Sequence, residues 1–143
     1  MKKFKLESSY NEYNDDLSFI AEEKVKYYIY VGSDIKTHFD ERIKEIVLGF
    51  YKNILFYILY GLDDSILPRT PVFVEKLQSL FGSGMFNRNQ KIGDMNLMIS
   101  HIWNTKKVHL QFDRIKTDLV DDYSVKLHMH SLIIEEQIKM DDF

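Results

Sequence analysis

Residues Leu67–Phe81 read Leu-Pro-Arg-Thr-Pro-Val-Phe-Val-Glu-Lys-Leu-Gln-Ser-Leu-Phe and contain both prolines of the chain, Pro68 and Pro71. Pro68 drives the residue before it out of helical geometry, so an element arriving from upstream must stop there. Thr70 followed by Pro71 is a helix start: a hydroxyl at the N-cap, then a proline whose missing N–H costs nothing at the first helical position. The stretch predicts a helix from about 71 to 81, ended by Gly82 and Gly84. Gly82-Ser83-Gly84 also has the look of a phosphate loop. No strand precedes it and no lysine follows at the required place, so the helix-end reading stands.

Upstream, Ile35, Phe39, Ile43, Ile46, Val47, Phe50, Ile54, Tyr57 and Ile58 recur at three- and four-residue steps. That spacing predicts a helix from about 34 to 61, begun by Ser33 or Asp34 and ended by Gly61 and Asp63-Asp64-Ser65. Residues 54–62 are apolar nearly all round, which calls for a deep core or a second chain. The aromatics Phe50, Tyr51, Phe56, Tyr57 and Tyr60 read as core and subunit contact, not as a cofactor box. Lys24–Val31 reads as a strand or the tail of a helix, and residues 1–24 as a polar, solvated arm.

Downstream, Ile92, Met95, Met98, Ile99, Ile102 and Trp103 share one helical face, predicting a helix over about 89–103 that Lys106 and Lys107 close at its negative end. The period then becomes two. Val108, Leu110 and Phe112 alternate with His109, Gln111 and Asp113; Val125, Leu127 and Met129 alternate with Lys126, His128 and His130. This predicts a β-hairpin over about 108–132, with a turn around Thr117–Asp122 and a greasy face packed on helices. Residues 135–143 read as a short, mobile acidic tail. The fold class is α+β, one domain over 1–143.

Composition narrows function. The 143 residues are 45% hydrophobic and 29% charged, a globular mixture. A net charge of −3 gives no basic field to recruit nucleic acid. The chain has no cysteine, which removes disulfides and thiolate chemistry. The charged N-terminus is not followed by an apolar run, and Val47–Leu62 is broken by Lys52 and Asn53, so neither a signal peptide nor a membrane span is expected.

Three histidines are the sharpest chemical cluster. A hairpin symmetric about residues 119 and 120 sets His109 opposite His130, with His128 on the same face. Such a trio can ligate zinc; a solvated, His-rich face is the plainer reading. The acidic pairs Asp15-Asp16, Asp63-Asp64, Asp121-Asp122 and Glu135-Glu136 are adjacent in sequence and cannot flank a substrate bond. No enzyme and no cofactor is expected. The tail Gln137-Ile-Lys-Met140-Asp-Asp-Phe143 resembles a clamp-docking peptide.

Taken in order, these elements are a long helix, the Pro68-x-x-Pro71-x-Phe73 joint, a short helix ending Leu80-Phe81, another helix and a closing hairpin. The order resembles the lysozyme-like baseplate wedge family of contractile-tailed bacteriophages, related to the sheath-initiating baseplate subunit of type VI secretion systems. Residues 52–62 are similar to that family's first core helix, and Asp121–His130 to its closing hairpin; the likeness spans roughly 35–135. Asn104-Thr105-Lys106 stands where the family has Glu-Pro-Arg, so no ion-pair role carries over. The resemblance implies a virion subunit, assembled in host cytoplasm, that joins wedge partners and nucleates the sheath by strand pairing in a hetero-oligomeric ring. With the apolar helix and hairpin, it points to Ile54, Tyr57, Ile58, Pro68, Pro71, Phe73, Trp103, Val125, Leu127 and Met129 as the partner surface. The competing readings are a small binding or inhibitor protein, of the immunity or host-antagonist kind, and a three-histidine metal protein.

Overall fold

The computed structural model describes residues 3–38, 40–82, 86–91, 96–117 and 122–142, with backbone alone for 86–91, 96–97, 117 and 122–123. The chain is α+β and mostly sheet. Strands β1 (Leu17–Glu22), β2 (Lys26–Tyr30), β3 (Thr37–His38), β4 (Glu41–Tyr51) and β5 (Ile54–Leu62) come first. Helix α1 (Thr70–Phe81) follows, then β6 (Phe86–Lys91), β7 (Asn96–Asn104), β8 (Val108–Thr117), β9 (Asp122–Ser131) and helix α2 (Leu132–Asp141). The sheet order is β1-β2-β4-β5-β9-β8-β7-β6, with β3 paired to β4. Two antiparallel meanders thus meet at the β5–β9 seam, and α1 links them.

The helix expected over 34–61 is instead the β4–β5 hairpin. Lys52 and Asn53 form its two-residue turn, both at positive φ (48° and 67°), with Tyr51 paired to Ile54. Positive φ at both central residues gives the turn twist that matches paired strands. The apolar residues of this stretch are largely β-branched or aromatic, which favours a pleated surface over a helix. Ile46, Leu48 and Phe50 bury on one face with period two. The helix expected over 89–103 is likewise absent: residues 96–104 pair with β8 in continuous register, from Asn96↔Thr117 to Asn104↔His109.

Three expectations hold. The helix at Pro71 forms, starting at Thr70 and ending at Gly82, whose N–H donates to Gln78 O at 2.9 Å and whose φ of 95° suits glycine. Thr70 does not cap it; its hydroxyl donates back to Leu67 O at 2.9 Å. The hairpin over 108–132 forms, and Val125 and Leu127 point inward. Its register is symmetric as predicted, with His109 opposite His130. Its turn at 118–121, and the expected roles of Gly84 and Phe143, lie outside the described residues.

Both termini are more ordered than their composition suggests. Phe4 and Tyr13 are buried, their rings 5.6 Å apart, and Phe4 meets Tyr30 edge-on at 5.0 Å. Ser9 and Glu12 form a capping box that holds the segment between them in a turn. Residues 132–141 are helical, because the Ser131 hydroxyl accepts from Ile134 N at 3.2 Å and supplies the N-cap.

The core lies on the sheet's inner face. Leu48, Leu55, Ile58, Phe112 and Leu127 are fully buried there in one cluster with Phe73 and Leu77 of α1, the Phe73 and Phe112 rings 4.9 Å apart. Glu41, buried at the start of β4, accepts two hydrogen bonds from the Arg69 guanidinium and so ties the sheet to the turn before α1. Among the described residues, no helix is long and apolar enough to cross a membrane.

Candidate functional site

The outer face of β7, β8 and β9 carries a connected polar network. Register sets Ser100 beside Asp113, Gln111 beside His128, and His109 beside His130. Asp113 is the hub. Its Oδ1 accepts from Ser100 Oγ at 2.6 Å and Gln111 Nε2 at 2.8 Å, while its Oδ2 accepts from His128 Nε2 at 2.8 Å. Burial pushes the Asp113 pKa up, but these hydrogen bonds outweigh it and hold the carboxyl below its usual range. Because Gln111 donates to Asp113, its oxygen faces His109 Nε2 at 3.0 Å and fixes that nitrogen as a donor.

His130 is bound separately, to Glu135 at 2.6 Å on α2, with its ring stacked 4.8 Å from His109. Burial lowers the His130 pKa, against the opposing pull of Glu135. The three histidines share a face as the sequence predicted, but their nitrogens aim at carboxylates and amides rather than at one point. Among the described residues, no trio of His, Asp or Glu is arranged to hold a metal ion. Nor do Ser100 and His128 form a nucleophile–base pair, since each is bonded to Asp113. The network is a satisfied polar layer that rigidifies the β8–β9 hairpin.

The expected partner residues are largely interior. Ile58, Phe73, Trp103, Val125 and Leu127 are buried in this chain's own core, and Met129 packs against it. Ile58 and Trp103 could face a partner only if 34–61 and 89–103 were helices with free faces. As strands, those segments bury the same side chains against α1 and the N-terminal segment. Tyr57 lies half-buried on the outer face, its ring 6.0 Å from those of Tyr27 and His128. Ile54, Pro68 and Pro71 are exposed.

One group of exposed apolar residues lies at the opposite end of the sheet, which sequence reading passed over. Phe19 is 58% exposed, Ile20 47% and Val31 59%, with Ile29 beside them. After Leu17, every residue of β1 is exposed, and among the described residues β1 has β2 as its one neighbour. The amide and carbonyl groups of its other edge face no strand among the described residues. Phe19 leans edge-on against Tyr28 at 5.7 Å, which holds it in place. A register shift between Phe19 and Ala21 makes Ile20 a bulge. Acids bracket the strand: Asp15 and Asp16 before it, Glu22 as its last residue and Glu23 after it.

α2 bounds this ribbon from below. Asp141 accepts from the Tyr51 hydroxyl and pairs with Lys52 at 3.0 Å, and Asp142 pairs with Lys24 in the β1–β2 turn. The Tyr51 bond first, then those from Lys52 and Gln137, pull the Asp141 pKa down to about 2. The tail is therefore a tethered helix rather than a free docking peptide. Gln137 is spent on Asp141 at 2.8 Å. No family model, curated protein or solved structure matches this chain.

Proposed function

We propose that this is a non-enzymatic protein-binding module that captures an extended segment of another protein along the β1 edge. The observation that carries the reading is the exposure of Phe19 and Ile20 on a strand that is an edge among the described residues. The bulge at Ile20 limits the ladder a partner can build, so side-chain contacts set specificity. Charge selects the partner. Antiparallel pairing of β1 with a second copy would bring Asp15 and Asp16 alongside the other copy's Glu22 and Glu23, and like charges opposed across strands repel. A segment with an apolar, β-branched centre and Lys or Arg at both ends fits instead.

The contractile-tail assembly reading puts strand pairing at the edges of the 108–132 hairpin, but β8 pairs with β7 and β9 with β5, so those edges are taken. Its other support, a core helix over residues 52–62, is absent, because those residues form β5 and its turn. A baseplate or sheath partner remains the narrower form of this proposal, and an inhibitor of a single host protein is the other.

A photo-crosslinking residue at Ile20, in cells of the source, tests the reading. The expected product is a heterologous peptide with basic flanks, lost when Phe19→Ser is combined with Glu23→Lys while circular dichroism is unchanged. Crosslinks only between copies of this chain, or crosslinks that survive both substitutions, overturn it.

A further inference from the structure

The inner face of the sheet is wider than its covers. Eight strands spaced ~4.8 Å apart span about 34 Å, whereas one helix is about 10 Å across. α1 covers the β8 side through Phe73, and the N-terminal segment covers β2 and β4 through Phe4 and Tyr13. Between them a cavity of about 290 Å³ remains.

Its floor crosses the β5–β9 seam, from Ile58 and Tyr60 to Met129 and Val108. Phe4 and Leu6 wall one side and Phe81, at the end of α1, another. The lining is thus aliphatic and aromatic in depth. The His38 ring, stacked 4.0 Å from Tyr60, closes part of the wall.

Among the described residues, the charged groups at the cavity are mostly cationic: Lys3, Lys5 and Lys107 against Glu7. Lys3 is engaged by Asp34 at 2.7 Å. Lys5 and Lys107 are exposed. An apolar interior with two amines at its opening matches a single-chain amphiphile carrying a negative head. The volume holds about ten groups of water or methylene size, too few for a two-chain lipid and at the small end of ligand pockets.

We propose that this cavity binds a free, unbranched aliphatic carboxylate of about ten carbons. The chain lies over Ile58 and Met129, and the carboxylate meets Lys5 and Lys107. This site is on the opposite face from the polar network and does not depend on the β1 edge.

The test is titration with carboxyl-labelled decanoate below its micelle concentration, followed by NMR and calorimetry on the full chain. The expected result is saturable one-to-one binding, weakened at least tenfold by Lys5→Glu with Lys107→Glu, and likewise weakened when decanol replaces decanoate. Met129→Trp fills the floor and abolishes binding, whereas Phe19→Ser leaves it intact. Non-saturable uptake, or an affinity unchanged by the paired lysine reversal, overturns the proposal. The lysine reversal sits at the exposed mouth, so it decides the matter even if Met129→Trp fails to fold.

Discussion

His128 on β9 donates its Nε2–H to Asp113 Oδ2 on β8 across 2.8 Å, and the same carboxylate accepts from Ser100 on β7 through its other oxygen. One buried side chain thereby joins three consecutive strands on the outer face. Such a hub is costly to break, because each donor it serves would be stranded away from water.

Asp113→Ala strands the donors of Ser100, Gln111 and His128 and costs at least about 3 kcal/mol, since each buried group left unsatisfied costs about 1–3 kcal/mol. Asp113→Asn keeps the shape but turns one acceptor into a donor facing Ser100 or His128, and costs about 1–3 kcal/mol. Urea unfolding shows both as a lowered midpoint at unchanged slope.

Acid weakens the fold in two steps. Burial lowers the His130 pKa below 6.5, with His109 and His128 adding to it and Glu135 opposing. The unfolded chain then binds a proton more readily than the folded one, so stability is full above about 6.5 and declines as pH falls through the folded value. The second step comes from Asp113 and Glu135, whose folded pKa values lie below 3.8 and 4.5 respectively. Their contribution is present above those values and is lost as pH falls through the folded ones. Unfolding free energies measured from pH 8 to pH 3 should show both declines, and His130→Gln should remove the upper one while the Asp113 step remains.

Phe73 is the main apolar anchor of α1, buried against Phe112. Phe73→Ala costs about 3–5 kcal/mol through lost burial and the cavity left behind. Urea unfolding followed by Trp103 fluorescence, which reports on the same core cluster, should then show one transition of lowered midpoint.

Asn53 sits in the β4–β5 turn at φ 67°. Asn53→Val places a β-branched side chain in left-handed geometry and costs about 1–2 kcal/mol. Asn53→Gly is neutral or slightly stabilising, because glycine adopts that geometry without strain. The contrast between the two variants, read as melting temperatures, distinguishes the two-residue turn from a helix interior, where Gly would be the more harmful.

Legibility of the chain tracked how local each signal was. α1 was visible from Pro71 and Gly82, since each residue restricts the backbone by its own geometry. The β8–β9 hairpin was visible because one face is wet and one dry, so His109, His128 and His130 alternate with Leu110, Leu127 and Met129. That alternation gave the register, and with it the shared face of the three histidines. Asp113 was placed on that face, but its role as hub depends on Ser100, which comes from a segment read as helix.

β4 and β5 misled for the opposite reason. β5 has a strand on each side and apolar residues on both faces, so wet and dry residues do not alternate along it. A continuous apolar run fits three-residue and two-residue periods alike. Its turn, Lys52-Asn53, carries no glycine to announce it. The exposed ribbon was hidden by its polar surroundings: Asp15, Asp16, Glu22 and Glu23 made the whole arm read as solvated.

By itself the sequence determined the α+β class, the proline-started helix, and the pairing of β8 with β9, because rigid residues and a one-sided hairpin encode these within a few neighbours. Only the tertiary structure decided that residues 41–62 and 96–104 are strands, which faces bury Ile58 and Trp103, and that β1 is left open at the edge. Those outcomes rest on which distant segment supplies each backbone hydrogen bond and each apolar neighbour, and no local pattern specifies that partner.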